Sequence, residues 1–142
     1  MKFKDLINIM GTPQKNRYSH REYDIFLNEE EINKMTGVTF KLHSDVYKRV
    51  RNFPSPQYDV IYILRNKKAF NTALFKINYD VIVTGKDGII LKIFIDLGPG
   101  FISKYFSDGN KIFFCSVGTI NNYDIKIKDL MTLRWRFLKN KQ

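Results

Sequence analysis

Three stretches of this chain gather cations in a pattern suited to holding phosphate. Lys48-Arg49-Val50-Arg51 and Arg65-Asn66-Lys67-Lys68 are compact basic clusters. The tail Arg134-Trp135-Arg136-Phe137-Leu138-Lys139-Asn140-Lys141 has four cations, no acid and the only tryptophan. Ammonium and guanidinium groups neutralise phosphates, and an aromatic ring between them offers a face on which a base can stack. The same interleaving suits docking on an anionic membrane or an acidic protein face. It also describes an ordinary last strand, with Leu133, Trp135 and Phe137 inward and Arg134 and Arg136 outward, because strand side chains alternate.

Residues that could do covalent or acid–base chemistry are few. His20 and His43 are the only histidines, and their spacing does not put two ligands on one helical face. Cys115 ends the apolar run Ile112-Phe113-Phe114-Cys115, where a thiol behaves as a small hydrophobe rather than a thiolate. As the one cysteine, it can form neither an internal disulfide nor a thiolate-rich zinc site. Asp87 and Asp108 belong to turns and Asp124 and Asp129 to loops, leaving Asp80 as the carboxylate set among apolar strand residues. Its expected role is that of a hydrogen-bonded edge residue, since buried acids persist when satisfied. No phosphate-binding glycine loop, dinucleotide fingerprint or nucleophile elbow is present. No enzyme, cofactor or metal is expected; an unfamiliar catalytic site would have only Asp80, Cys115 and the histidines to draw on.

Composition sets the scale of what must position these groups. In 142 residues, 44% are hydrophobic and 15% aromatic, enough apolar surface to require one buried core. The chain has no apolar run long enough to span a bilayer and no cleavable leader pattern, so a cytoplasmic protein is expected. The formal charge of +10 favours polyanionic partners, although a coding bias toward Lys, Asn and Ile would produce the same excess.

The pattern of apolar residues then gives the elements. Phe3, Leu6, Ile7 and Met10 have helical spacing and are stopped by Gly11 and Pro13. Residues 23–27 read as a strand. Asn28 reads as the cap of a helix with Glu29, Glu30 and Glu31 in its first turn and Gly37 at its end. Residues 38–42 read as a strand and 45–51 as a short helix, and Phe53-Pro54-Ser55-Pro56 then breaks regular structure. Strand patterns follow at 58–64, 69–77, 79–84, 89–97, 111–117 and 130–138, with Asp87-Gly88 the strongest hairpin signal. The expected fold is α+β, mostly β: one domain over 1–142 with a compact curved or barrel-like antiparallel sheet and two or three short flanking helices. Its 1–56 part is expected to be helix-rich and its 57–142 part strand-rich.

Tyr79-Asp80-Val81-Ile82-Val83, Lys86-Asp87-Gly88-Ile89-Ile90, Gly118 after an apolar strand, and the late Lys128-Asp129-Leu130 together resemble the prokaryotic domain of unknown function one-nine-two family. The resemblance spans about residues 23–138, with Gly37-Val38-Thr39 at its early glycine stretch. The family's W-M-K-N-T segment is replaced here by Asn71-Thr72-Ala73-Leu74-Phe75. It implies a compact β-rich domain and no particular activity.

The function expected from the residues is a small basic, non-enzymatic binding domain for nucleic acid, RNA or single strands. Its contact residues would be Lys48, Arg49, Arg51, Arg65, Lys67, Lys68, Arg134, Arg136 and Lys139, with Trp135 or tyrosines stacking. The alternative is a protein-interaction or inhibitor module that presents the same surface to an acidic protein, aided by an unpaired strand edge between Tyr58 and Ile95.

Overall fold

The computed structural model describes residues 20–52 and 60–136. Within them runs one curled seven-stranded sheet, made of β1 (His20–Leu27), β2 (Glu30–Phe40), β3 (Val60–Arg65), β4 (Tyr79–Gly85), β5 (Ile90–Leu97), β6 (Gly109–Cys115) and β7 (Met131–Trp135). Helix α1 (His43–Asn52) joins β2 to β3, and the single turn α2 (Thr119–Asn122) follows β6. The sheet order is β5-β4-β6-β3-β2-β1-β7. Every pairing is antiparallel except β2–β3, where α1 provides the crossover a parallel pair needs.

Alternation along the central strands separates two cores. Tyr62, Leu64, Tyr79, Val81, Val83, Ile112 and Phe114 face one side, where Val46 and Val50 of α1 cover them. Ile61, Ile63, Ile82, Phe113 and Cys115 face the other side and meet Ile25, Ile90, Ile120 and Met131. With both faces covered, every residue of β4 is buried. Phe114 is the hub of the first core, with the rings of Tyr47, Phe70, Phe75 and Tyr79 between 5.6 and 6.2 Å from its own.

The mostly β, α+β class agrees with expectation, and so do the hairpin at Asp87-Gly88 and the helix over 45–51. Residues 29–36 do not form a helix. Asn28 and Glu29 have φ of 51° and 73° and join β1 to β2 as a two-residue turn, the backbone that best matches strand twist. The helical reading rested on Asn28 as a cap, the three glutamates after it and Gly37 as a terminator; Ile32 and Met35 between them are both buried. Between the pairs Asp24↔Thr36 and Phe26↔Glu31, β1 advances two residues while β2 advances five, so an extended bulge returns both side chains to the same core. Gly37 therefore ends no helix. It lies inside β2, where a Cβ would approach Ile63 Cδ1 to 2.9 Å.

The 20–52 segment is thus two strands and one helix rather than helix-rich. Residues 69–77 form a loop with a single bridge, Asn71↔Ile102, because Phe70 and Phe75 pack into the first core without strand partners. The expected first helix at Phe3–Met10, the break at Phe53–Pro56 and the tail beyond Arg136, Lys139 included, lie outside the described residues.

The sheet does not close, but its two edges meet at one corner. Met131 N–H donates to Gly88 O at 2.8 Å, Ile90 N–H to Asp129 O at 2.8 Å and Lys128 N–H to Ile90 O at 2.9 Å. Asn28 holds the same segment from the other side: its N–H donates to Leu130 O at 2.7 Å, and its Oδ1 accepts from Leu130 N–H at 2.9 Å. Gly88 permits this contact. Its φ is 91°, and a Cβ there would lie 2.9 Å from Met131 O. Gly88→Ala combines a left-handed L-residue with a backbone collision and should cost roughly 2–4 kcal/mol. A lower urea midpoint with an unchanged m value is the expected readout; an unshifted midpoint would contradict the corner contact.

Candidate anion pocket at the mouth of the sheet

Where the curled sheet opens, Tyr23, Arg65, Asn66, Lys86, Asp87, Gly88, Asn110, Lys111, Met131, Thr132 and Leu133 surround a cavity of about 460 Å³. Strand parity explains its composition. Arg65 follows Ile63 on the inner face of β3, Lys111 precedes Phe113 on β6, and Tyr23 precedes Ile25 on β1. Each strand thus shows a polar group at the mouth with a buried apolar one behind it. Three cations face one carboxylate, and Asp87 Oδ1 already accepts from Ile89 N–H of its own turn at 3.1 Å.

Lys86 is exposed and Arg65 half-buried, as is Lys111. Burial holds its ammonium below the usual lysine range; the neighbouring Tyr23 acts in the opposite sense and Arg65 reinforces the burial effect. Its Nζ donates to Asn110 Oδ1 at 3.0 Å. Directly across the β4–β6 ladder from Lys111 is Thr84, fully buried, whose hydroxyl has no hydrogen-bond partner among the described residues. Tyr23 O–H accepts from Thr39 Oγ1 at 3.4 Å. Tyr23 also pairs with Trp135 across β1–β7, so the two rings share a face, and the Arg21 guanidinium lies 4.7 Å from the Trp135 ring centre. The mouth can therefore hold an anion beside aromatic surface.

Of the described cations expected from sequence, the structure brings Arg65 into this pocket and places the others elsewhere. Lys48 and Arg49 are exposed on α1, over the first core and on the opposite face of the sheet. Arg49 lies 5.3 Å from the Phe40 ring centre, and Arg51 is half-buried. Lys67 is half-buried, and Lys68 Nζ donates to the carbonyls of Ser107 and Gly109, both at 2.9 Å, which ties two loops together. Sequence reasoning passed over Tyr23, Lys86 and Lys111. For Tyr23 and Lys111 the signal was a polar residue continuing the inward parity of an apolar strand, legible only once the pairing is known; Lys86 lies in the turn after β4.

The tail arginines point to the outer face. Asp24 Oδ2 accepts from Arg134 Nη2 at 2.8 Å, and Asp24 Oδ1 accepts from Arg136 Nη2 at 2.6 Å and Nε at 3.0 Å. Arg136 Nη1 also donates to Thr36 Oγ1 at 3.2 Å and lies 3.6 Å from Glu22, while Arg134 lies 3.8 Å from Glu31. Three acids thus attend two arginines. Trp135 projects to the other side of β7, so alternation separates it from both.

The candidate catalytic groups are engaged in holding the fold. Asp80 lies in an interior strand, not at an edge, and is fully buried. Its carboxylate accepts from Asp96 N–H at 2.8 Å, Ile120 N–H at 3.0 Å and Gly118 N–H at 3.1 Å, which fixes the β5 bulge and the turn into α2. Burial, with Asp80 nearby, pushes the Cys115 thiol far up and keeps it protonated. His43 Nε2 donates to Arg65 O at 2.7 Å, and His20 sits 3.7 Å from Glu22. Among the described residues no group of three or more His, Cys, Asp or Glu could hold a metal, and no helix is long and apolar enough to cross a membrane.

No family model and no curated protein matches the chain. Two solved structures share its fold. One is a protein of unknown function from Novosphingobium aromaticivorans, with a TM-score of 0.61 at 12% identity over 78% of this chain and 83% of that one. The other is a candidate transcription regulator from Sinorhizobium meliloti, with a TM-score of 0.64 at 11% identity over 82% of this chain and 95% of that one. At such identities the likeness establishes the fold alone.

Two outcomes test the buried and surface charges. Asp80→Ala leaves three amide donors without their acceptor and should lower stability by about 3–5 kcal/mol in urea, with Asp80→Asn costing less because it keeps one oxygen. Hydrogen bonds from Arg134 and Arg136 hold the Asp24 carboxyl below its ordinary value. Its stabilisation is therefore present above the usual carboxylate range and lost as pH falls through the depressed folded value. Asp24→Asn should flatten the acid limb of the stability profile; an unchanged limb would remove Asp24 from the account.

Proposed function

We propose that this protein is a non-enzymatic binding domain for nucleic acid, RNA or single strands, whose phosphate contacts centre on the mouth of the sheet. The observation that carries this reading is the convergence of Arg65, Lys86 and Lys111 on one cavity whose single carboxylate is occupied by its own turn. Trp135, 47% exposed beside Tyr23, adds the stacking surface that single-strand binders use. The net charge of +10 supports steering of a polyanion toward the mouth. A neighbour of the same fold described as a candidate transcription regulator agrees with this class.

A second reading, an acidic protein partner, draws on one observation. Strand β5 is a sheet edge with Ile95 half-exposed, so a partner strand could add there while the cations engage its side chains. Pull-down from nuclease-treated lysate separates the two: a stoichiometric acidic protein would favour edge addition, and nucleic acid recovered without nuclease would favour the mouth.

Fluorescence polarisation with short single strands tests the primary reading. Three phosphate contacts predict log K falling with log salt at a slope of about −2. Lys111→Glu and Arg65→Glu should each weaken binding about tenfold or more, whereas Arg134→Ala should leave it nearly unchanged because Arg134 is engaged by Asp24. Affinity insensitive to salt would overturn the proposal, and a loss at Arg134 equal to that at Lys111 would move the contact to the outer face.

A further inference from the structure

Two loops on the first-core side of the sheet expose apolar side chains while burying polar ones. One joins β3 to β4 and the other joins β5 to β6. They run antiparallel, with the bridge Asn71↔Ile102 and with Thr72 N–H donating to Phe101 O at 2.8 Å, Gly100 N–H to Thr72 O at 2.9 Å and Ser103 N–H to Phe70 O at 2.9 Å. Phe70, Phe75 and Phe106 of these loops turn into the first core. Thr72 and Ser103 are buried as well, whereas Leu74, Ile102 and Tyr105 are 67%, 77% and 68% exposed.

The buried hydroxyls fix that arrangement. Thr72 Oγ1 donates to Gly98 O at 2.8 Å and accepts from Phe101 N–H at 2.9 Å. Ser103 Oγ accepts from Phe70 N–H at 3.0 Å and donates to Lys104 O at 2.8 Å. Phe75 N–H donates to Thr72 O at 3.1 Å and closes the turn that carries Leu74. Turning Leu74 or Ile102 inward would break these bonds, so both are held outward on a braced base. Single apolar residues are ordinary on a protein surface; three large ones presented by two paired loops, above buried hydroxyls, mark a contact surface.

Charge identifies what the surface meets. Residues 66–78 and 98–107 hold Lys67, Lys68, Lys76 and Lys104 and no acid. Lys76 and Lys104 are exposed, and each follows an exposed aliphatic residue, Leu74 or Ile102, by two positions. A second copy would set these like charges against one another across a two-fold axis. An anionic bilayer instead takes apolar tips into its interface and ammonium groups among its head groups.

We infer that this loop pair is a membrane-docking surface, which inserts Leu74, Ile102 and Tyr105 into the interface of an anionic lipid leaflet and sets Lys76 and Lys104 on its head groups. It lies on the face of the sheet opposite the residues of the mouth and does not depend on the nucleic-acid reading.

The test is co-sedimentation of the full chain with vesicles of phosphatidylcholine alone and of phosphatidylcholine with about one-third phosphatidylserine. Binding to the mixed vesicles and none to the neutral ones is expected. Leu74→Asp and Ile102→Asp should each weaken it about tenfold, and Lys76→Glu and Lys104→Glu about fivefold or more. All four side chains are exposed, so the urea midpoint should stay in place. Ile102→Cys carrying an environment-sensitive dye reports insertion directly, because Cys115 is buried and stays unlabelled; its emission should shift to the blue on mixed vesicles.

Failure to sediment with the mixed vesicles at low salt overturns the inference. Sedimentation that survives Leu74→Asp and Ile102→Asp together, with no dye shift, would reduce the attraction to net charge and remove the insertion. A dimer that Ile102→Asp dissociates, without vesicle binding, would make a second copy the occupant.

Discussion

The corner at which the β4–β5 turn meets the start of β7 determines the shape of everything around it. Backbone hydrogen bonds among Gly88, Ile90, Lys128, Asp129 and Met131 hold the two edges of a seven-stranded sheet together at one point. Without that contact β1 and β7 would have no reason to arch over β4 and β6, and the inner core of Ile25, Ile63, Ile82, Phe113 and Met131 would lie open to water. Main-chain approach this close tolerates no side chain, which makes a single glycine the hinge of the arrangement.

The curl creates both the core and the mouth, because it turns one face of the sheet inward. Residues in the middle of each strand on that face become buried, while those at one end remain at the rim. Arg65 and Lys111 occupy rim positions, where an extended side chain buries its stem and keeps its charge near solvent. At Lys111 burial holds the ammonium below its usual range, with Tyr23 opposing that effect and Arg65 adding to it.

The outer face handles charge in the opposite way. Asp24 holds both Arg134 and Arg136, with Glu22 and Glu31 close by, so the cations that stand out most in the sequence are locally neutralised. Asp80 illustrates the same economy inside: one carboxylate satisfies three backbone donors from β5 and the turn into α2, holding irregular segments that the regular ladder cannot reach.

The sequence by itself determined the mostly β class, the Asp87-Gly88 hairpin, helix α1 and the apolar burial of Cys115, because each depends on local periodicity or on turn chemistry within a few residues. It misassigned 29–36 because Asn28, the three glutamates after it and Gly37 carry helix start and stop signals, and only pairing with β1 shows that a two-residue turn and a bulge bring Ile32 and Met35 to one core. It identified the basic character of Arg65 but could not join it to Tyr23, Lys86 and Lys111, which are separated by up to 88 positions and meet only through strand register. The tail arginines show the converse: their charge is plain in the sequence, yet Asp24, 110 and 112 positions away, decides whether that charge is available. Strand alternation states which residues share a face; which faces meet is settled by long-range pairing, and in this sheet the edge-to-edge contact at Gly88 adds to that pairing.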